Sequence, residues 1–277
     1  MAVKLGVPLG LLHPAAWKDV AVAADELGYE SVWLPEHLVF ATDLSLAAYP
    51  STGKPAITPH TPLFDAPAYL CWLAAHTTRI KLGTAVYLFA LRHPFTAARA
   101  FATLDTLSEG RALCGVGAGW YEAEWRAAGL DFATRGPRLD EAIQIARRLW
   151  TEPAVAHEGR FYAFPEVAFE PKPVQRPLPV LAGGDSPAAL RRATRLCDGW
   201  ISMPHTPDTI RRPLATLARL NPPPGFSITV HAYDVKTPAD LAPWTALGID
   251  RLIIRPWHGT RDAVSSLTRF AEALPPP

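Results

Sequence analysis

The sequence has little cysteine and methionine, and the few cysteines argue against a disulfide-rich protein and against a cysteine-ligated zinc protein. Among 277 residues there are 3 Cys and 2 Met. Cys71, Cys114 and Cys197 lie far apart and form no CxxC pair. Such a set describes neither a disulfide framework nor a cysteine-based zinc site, and it is typical of buried thiols in a reducing compartment.

An excess of charge of one sign is also absent. Lys and Arg number 27 against 26 Asp and Glu, which gives a net charge of +1. Nucleic-acid and membrane-surface binding depend on a large positive field, so the composition argues against both kinds of partner. We find no apolar run of membrane-spanning length and no signal-peptide core, and we expect a cytoplasmic protein. The 9 histidines lack HxxxH and HxH spacings, so no metal site is predicted.

What the sequence does contain is a regular alternation of short β-rich segments and helical patterns. The clearest helical periodicity is in Arg138–Trp150, where Leu139, Ile143 and Ala146 share one face. A hairpin is predicted at His157–Phe164, with Gly159 in its turn. The remaining strands are predicted at Lys4–Leu9, Ser31–Pro35, Ile80–Leu88, Arg111–Gly119, Pro179–Ala182, Gly199–Ser202, Ser227–Tyr233 and Asp250–Trp257.

Eight strands, most of them followed by a helix, predict an α/β fold of the (β/α)8 TIM barrel type, for which about 250 residues is a typical length. We expect a single domain over residues 1–277, with a small hairpin insertion near residues 154–175. The strands are apolar throughout, as a barrel buried under helices requires. A doubly wound open sheet is the alternative, but it would need a second domain, and no linker is found.

The stretch PVLAGGDSPAALRR, residues 179–192, joins a strand to a helix through two glycines and a serine. Glycine lets the backbone approach a ligand closely, and Gly183 and Gly184 end the strand. The first N–H groups of a helix have no intrahelical partner and attract an anion. The pattern is therefore typical of a phosphate site. The alternative is a tight turn with an ordinary cap at Asp185 or Ser186.

In a TIM barrel the active site lies at the carboxyl ends of the strands. The candidate positions are Glu36 and His37 after the second strand, Ala85–Leu91 after the third, Gly117–Glu124 after the fourth, Gly183–Ser186 after the fifth, His205 after the sixth, His231 and Tyr233 in the seventh, and Arg255–His258 after the eighth.

Five motifs occur in series: SVWLPEH, IKLGTAVYLFALRHPFTAARAFATLDTLSEGR, GVGAGWYEAEWRAAG, RGPRLDEAIQIARRLWTE and PKPVQRPLPVLAGGDSPAALRRATRLCDGWI. With them the chain resembles the luciferase-like monooxygenase superfamily of flavin and deazaflavin enzymes, over most of its length and more weakly after DGWIS. RHP, LDTLSEGR, GVGAGW and GGDSPAALRRA are most similar to the branch that uses coenzyme F420. The resemblance implies the barrel fold, F420 as cofactor with FMN as the alternative, a homodimer, and a flavin or F420 reductase as a candidate partner.

The same resemblance implies which residues bind the cofactor. Gly183, Gly184 and Ser186 lie where the family binds the cofactor phosphate, so Gly183→Val or Gly184→Val is expected to weaken cofactor binding with little loss of fold. Ala85–Val86 corresponds to a non-prolyl cis peptide that family members often have behind the flavin ring. An ordinary trans strand end is the alternative there.

Glycines alternate along the fourth strand, at positions 115, 117 and 119. Glycine weakens a strand interior and often marks the close approach of a ligand. Since Gly117 and Gly119 lie at the active end, we interpret them as cofactor-binding residues. The alternative is that small residues are needed because the barrel interior is crowded.

His37 is the catalytic candidate. Some deazaflavin dehydrogenases of the superfamily use a histidine here as an acid or base, or to stabilise the cofactor, and a structural loop histidine is the alternative. Glu36 either orients His37 or is solvated. Arg92 and His93 belong to an RHP turn in which His93 caps a helix that Pro94 opens.

One position departs from the family pattern. In the glucose-6-phosphate-oxidising relatives a glutamate follows the GxG of the fourth strand, and this chain has Trp120 there. Glu122 and Glu124 come one helical turn later and are expected to face elsewhere. The replacement argues against that activity, and Trp120 is predicted to line the substrate pocket as an aromatic wall for a flatter or more apolar substrate.

Together these features predict an oxidoreductase that exchanges a hydride between F420 and a small organic substrate. An FMNH2-dependent monooxygenase that uses O2 is the first alternative, and a non-catalytic flavin-binding protein is the second. The Pro-rich connection Val39–Leu63 is predicted to be a mobile lid over the barrel.

Overall fold

Eight parallel strands close into a barrel in the computed structural model of the protein, which describes residues 3–44 and 58–274. Around the barrel the order is β1, β2, β3, β4, β7, β8, β9 and β10, and β10 pairs with β1 to close the sheet. The predicted (β/α)8 fold is confirmed. The barrel strands are β1 Lys4–Pro8, β2 Ser31–Leu34, β3 Lys81–Thr84, β4 Ala112–Val116, β7 Val180–Gly183, β8 Gly199–Pro204, β9 Ser227–Ala232 and β10 Arg251–Ile254.

Helices surround the barrel and mostly follow the predicted segments. The helix of the RHP turn begins at Pro94, and the Nδ1 atom of His93 accepts a hydrogen bond from the Phe95 N–H at 3.3 Å, as predicted for a cap. None of the helices in the described ranges is long and apolar enough to span a bilayer. The helices are α1 Trp17–Glu26, α2 Ala66–Ala74, α3 Pro94–Leu107, α4 Glu122–Ala127, α5 Arg135–Thr151, α6 Pro187–Leu196, α7 Arg211–Arg219, α8 Ala242–Thr245 and α9 Ala263–Glu272.

The barrel interior has its own apolar core, separate from the larger one between strands and helices. It consists of Trp33, Leu113, Leu181, Ile201 and Ile253. Trp33 is the largest of these and lies beside Gly83 in the strand register. A side chain at position 83 would begin 2.5 Å from the Trp33 ring, so this strand needs glycine to make room for the indole.

At the amino end of the barrel, Asp25 joins the end of α1 to the start of β3. Its carboxylate accepts hydrogen bonds from the backbone N–H groups of Thr78, Arg79 and Ile80, at 2.7, 3.0 and 2.7 Å. Burial raises the pKa of Asp25, but these hydrogen bonds together outweigh it and lower the pKa below 3.8. The ionised carboxylate therefore stabilises the folded chain.

The predicted hairpin is present as β5 Val155–Glu158 and β6 Ala163–Val167, with Gly159 in the connection. Glu141 of α5 fastens it, because its carboxylate accepts hydrogen bonds from the Tyr162 N–H at 3.0 Å and lies 3.1 Å from His157 Nε2. Residues 45–57 of the predicted lid lie outside the described residues, so the lid stays a prediction.

Candidate active site

We use barrel mouth for the carboxyl ends of the eight barrel strands. Glu36 and His37 both follow β2 at the mouth, but their side chains take different partners. His37 Nδ1 lies 2.9 Å from Glu124 Oε2. Glu36 instead accepts a hydrogen bond from the Leu88 N–H at 2.7 Å and pairs with Arg92. His37 therefore faces the mouth, whereas Glu36 holds together the loops around it.

The carboxylate of Glu124 fixes the orientation of the His37 ring. Its side chain is fully buried in α4, and it also accepts a hydrogen bond from the Leu38 N–H. A buried carboxylate that accepts from Nδ1 keeps the proton there, so Nε2 is the atom left to accept or give one. The His37 side chain is 16% exposed, and within residues 3–44 and 58–274 Nε2 has no hydrogen-bond partner.

The expectation that Glu124 faces elsewhere is wrong. Helix α4 has six residues, too few to display an apolar period in the sequence. Its buried face consists of Glu124 and Trp125. That face turns toward the loop after β2, which a residue-by-residue pattern does not reveal. A buried Trp next to an acid in GWYEAEW was the one available signal.

Both expectations for Glu36 are also wrong, because it neither orients His37 nor is solvated. Only 5% of its surface is exposed. Burial raises the pKa of Glu36 to about 7, although Arg92 and the Leu88 N–H oppose that rise. The guanidinium of Arg92 lies 4.5 Å from the centre of the Tyr87 ring. Glu36 and Arg92 therefore connect the segment after β2 to the segment after β3.

Three aromatic side chains surround His37 at the mouth. The ring centres of Phe40, Trp120 and Tyr121 lie 4.8, 5.6 and 6.4 Å from the imidazole. The Tyr121 hydroxyl accepts a hydrogen bond from the Ala41 N–H at 3.1 Å, which holds the segment after β2 against the segment after β4. An aromatic cluster therefore surrounds the imidazole, and the role of Trp120 as a wall of the substrate pocket stays a prediction.

The peptide bond between Ala85 and Val86 is cis, as the resemblance implied, and the trans alternative is wrong. The Val86 side chain projects between two glycines of neighbouring strands. A Cβ atom added at Gly117 would lie 2.3 Å from Val86 Cγ2, and one added at Gly183 would lie 2.4 Å from Val86 Cγ1. Crowding by Val86 therefore explains why both positions lack side chains.

These contacts correct two interpretations of the glycines. The missing side chain of Gly117 makes room for Val86, and that of Gly119 makes room for Trp125, whose Nε1 would lie 2.9 Å from an added Cβ. Gly183→Val would collide with Val86, so it is expected to destabilise the fold, contrary to the prediction of little loss. Contact between the backbone of these glycines and a cofactor stays a prediction.

We use anion cradle for the turn after β7, residues 183–186, where the sequence predicts the phosphate site. Gly184 has φ +102°, which favours glycine, and an added Cβ there would meet nothing closer than Ala189 Cβ at 3.6 Å. Its carbonyl accepts a hydrogen bond from Trp200 Nε1 at 2.8 Å, which directs that oxygen away. Ser186 is the cap, since its Oγ accepts from the Ala189 N–H at 3.2 Å. Pro187 has no N–H and the Ala189 N–H is taken by Ser186, so among the described residues the Ala188 N–H is the one left at the start of α6 beside this open space.

Asp185, the other candidate cap, has a different role. Its carboxylate accepts a hydrogen bond from the Met203 N–H at 3.0 Å and lies 3.1 Å from His205 Nε2. It therefore ties the turn after β7 to the end of β8. Of the other candidates, His231 and Tyr233 lie together, with ring centres 5.4 Å apart, and the Arg255 guanidinium lies 5.9 Å from the Tyr233 ring.

The chain matches known sequences along most of its length. A model of the family described as luciferase-like monooxygenase matches residues 6–233. An uncharacterised protein of Mycobacterium tuberculosis is 33% identical over 270 residues, which cover 95% of this chain and 94% of the relative. An F420-dependent glucose-6-phosphate dehydrogenase of Kineococcus radiotolerans is 34% identical over 194 residues, which cover 68% of this chain and 52% of the relative.

Solved structures share the fold. An F420-dependent secondary alcohol dehydrogenase, in complex with an F420–acetone adduct, matches with a TM-score of 0.71 and 18% identity, covering 99% of this chain and 98% of that one. The oxygenating constituent of 3,6-diketocamphane monooxygenase from Pseudomonas putida, in complex with FMN, matches with a TM-score of 0.63 and 19% identity, covering 84% and 67%. At these identities the likeness is one of fold.

Proposed function

Because the chain belongs to the luciferase-like monooxygenase family and is an oxidoreductase of that family, we propose that it transfers a hydride between coenzyme F420 and a small organic substrate. The observation that carries the proposal is a juxtaposition. The anion cradle after β7 and the His37–Glu124 pair open at the same end of the barrel. A phosphate-bearing cofactor and a proton-handling group would therefore share one mouth.

The residues of the cradle suit the phosphate of F420. The open space at Gly184 would admit the anion, and the Ala188 N–H at the start of α6 would donate to it without a cationic side chain. Ala85 and Val86, with Gly117 and Gly183 beside them, would form the wall against which the ring lies. When bound, F420 supplies the ring carbon that gives or accepts the hydride.

His37 is proposed to hold or move the proton at its Nε2 atom. An alcohol that loses a hydride must also lose its hydroxyl proton, and a carbonyl that gains a hydride must gain one. The pairing of Nδ1 with Glu124 leaves Nε2 available for either direction. Phe40, Trp120 and Tyr121 would exclude water around this atom.

The substrate class is proposed from the same wall. With Trp120 at the position of the glutamate in the glucose-6-phosphate-oxidising relatives, the mouth beside His37 is aromatic. An alcohol, carbonyl or enone with an apolar body suits such a wall better than a sugar phosphate.

An FMNH2-dependent monooxygenase is the second candidate. The cradle would accept the phosphate of FMN equally well, and the diketocamphane enzyme with a similar fold is in complex with FMN. A non-catalytic flavin-binding protein is a weaker candidate. A buried glutamate that aligns a largely buried histidine at the mouth costs desolvation, and a protein that only binds the ring has no use for it.

Anaerobic titration of the purified protein with F420, reduced F420, FMN and reduced FMN tests the proposal. We expect F420 to bind more tightly than FMN, and a panel of secondary alcohols, ketones and enones to change the 420 nm absorbance of the bound cofactor. Preference for FMN, with oxygen uptake when reduced FMN and substrate are supplied in air, would instead support the monooxygenase. Binding without turnover of any panel member in either assay would support the non-catalytic alternative.

The homodimer and the reductase partner are proposed on the family resemblance alone, and the cytoplasmic location on the three unpaired cysteines. Size-exclusion chromatography with light scattering on the purified chain tests the first of these. A monomer at micromolar concentration would contradict it.

A further inference from the structure

His231 lies at the barrel mouth, on β9, which is three strands from β2 around the barrel. It belongs to β9, whose Thr229, two residues earlier, hydrogen-bonds inside the barrel to Arg251 at 3.0 Å. In β10 the register partner of His231 is Ile253, which belongs to the interior core. Because alternate residues of a strand share a face, the His231 side chain points into the barrel, above Thr229.

The hydrogen bonds around His231 determine its tautomer. Its Nδ1 lies 2.7 Å from the carbonyl oxygen of Ser202, and a carbonyl only accepts, so Nδ1 carries the proton. Burial lowers the pKa of His231 to about 4, so the ring is neutral at pH 7. The Nε2 atom of a neutral ring protonated on Nδ1 has a free lone pair. It is an acceptor and cannot donate.

The ring is held in position by the backbone. The His231 N–H donates to Ser202 Oγ at 3.2 Å, and the His231 carbonyl accepts from the His205 N–H at 3.0 Å. His205 and Met203 in turn contact Asp185 in the turn after β7. His231 is thus part of the same network as the anion cradle, although β8 lies between β7 and β9.

In the described part of the chain no group donates to His231 Nε2, and the residue is partly exposed to solvent. A neutral acceptor at the mouth of the barrel attracts O–H groups and repels phosphate and carboxylate oxygens. We propose that His231 is a ligand-binding residue whose Nε2 accepts a hydrogen bond from a hydroxyl group of the molecule bound in the mouth. The inference rests on the proposed function and adds a recognition element to it.

Two parts of the bound molecules carry hydroxyl groups of this kind. One is the polyhydroxylated chain that joins the ring to the phosphate in both F420 and FMN, and the other is the hydroxyl of an alcohol substrate. The connection between His231 and the cradle suits the first source, and its position at the same mouth as His37 suits the second.

Nitrogen NMR on protein labelled with ¹⁵N-histidine separates these sources without relying on turnover. At pH 7 we expect His231, assigned by its disappearance in His231→Phe, to show a protonated Nδ1 and an unprotonated Nε2. Adding the cofactor that binds in the titration above should shift the Nε2 signal if the polyol chain is the donor. If the substrate is the donor, the shift should occur only when 2-propanol is added to that complex, and acetone should not produce it.

Affinities provide the second arm. His231→Phe should weaken binding of the donor-bearing molecule by about 5- to 30-fold, which corresponds to about 1–2 kcal/mol for one buried hydrogen bond. His231→Gln, whose amide oxygen can accept, should lose less. His76→Gln at the amino end of the barrel, where the ring only packs on Trp72, is the matched control and should change neither affinity.

The outcomes separate failure of the role of His231 from failure of the proposed function. Absence of binding by every cofactor would contradict the proposed function. A cofactor that binds while neither it nor 2-propanol shifts Nε2 would contradict the role of His231 alone. A protonated Nε2 in the free protein would overturn it as well.

Discussion

The Nδ1 atom of His37 lies 2.9 Å from Oε2 of Glu124, although 87 residues separate them in the chain. His37 follows β2 and Glu124 lies in the short helix after β4. The two residues therefore lie on either side of β3 at the barrel mouth. The buried carboxylate holds the imidazole in the orientation of a base. Whether His37 can accept a proton at the mouth depends on which ring nitrogen carries the proton in the free protein. Substituting either residue of the pair tests this.

His37→Gln should lower kcat by about 10²–10⁴-fold, because an amide can hydrogen-bond to a substrate but cannot take its proton. The glutamine variant is preferable to alanine. Without the imidazole, the buried Glu124 would keep only the Leu38 N–H as a partner, so alanine should also lower the melting temperature. Turnover of the bound cofactor with the best substrate of the panel is the measurement, and wild-type kcat in the glutamine variant would make His37 structural.

Glu124→Gln should also reduce kcat, by at least tenfold, with little change in KM. An amide nitrogen facing Nδ1 donates a hydrogen bond, so the proton moves to Nε2 and the acceptor at the mouth is lost. Glu122→Gln, on the exposed face of the same helix and ion-paired with Arg126, is the matched control. Equal activity in the two variants would show that the carboxylate does not act through His37.

Ser186→Asp should weaken phosphate binding without unfolding α6. Aspartate caps a helix as well as serine, and its charge suits the helix dipole. The same charge repels a phosphate, and we expect Kd for F420 or FMN to rise at least tenfold while the Kd of riboflavin, which lacks phosphate, stays within threefold. Ser265→Asp adds an equal charge to the first turn of α9 as a control. Equal losses of affinity for riboflavin and FMN would show that this turn does not bind the phosphate.

Gly183→Ala should destabilise the protein by about 1–3 kcal/mol, because the new methyl group would meet Val86 Cγ1 at 2.4 Å. Removing Val86 makes the room, so the loss in the double variant Gly183→Ala, Val86→Ala should be smaller than the sum of the single losses. The difference is expected to be about 0.5–3 kcal/mol from urea unfolding of the four proteins. Simple additivity would mean that the backbone shifts to absorb the methyl group.

Asp25→Asn should lower the free energy of unfolding by about 1–3 kcal/mol at pH 7, since three backbone N–H groups lose a charged acceptor. The pKa of Asp25 is lowered in the folded protein, so its contribution is complete above the unfolded value of 3.8 and is lost as pH falls through the folded value. The difference in the free energy of unfolding between wild type and variant should therefore become smaller in acid. Glu26→Gln, exposed at the neighbouring position, is the control, and a difference constant down to pH 2 would contradict the assignment.

The alternation of strand and helix was predictable because it depends on short-range patterns in the sequence. The helix that opens at Pro94, the hairpin turn at Gly159 and the strand-to-helix turn at Gly183–Ser186 each depend on residues within a few positions of one another. Once eight such units were recognised, the placement of His37 and the turn at a common mouth followed from the parallel geometry of the barrel.

The partners of those residues were decided by the tertiary structure. His37 meets Glu124, Glu36 meets Arg92, and Val86 fills the space left by Gly117 and Gly183, each across a neighbouring strand or the loop after it. A sequence pattern states which face of an element is apolar, but the contacts between side chains of different elements depend on strand register and on the angle at which a short helix docks. For that reason the sequence by itself determined the barrel and the position of its mouth, while only the closed fold decided which carboxylate orients the histidine.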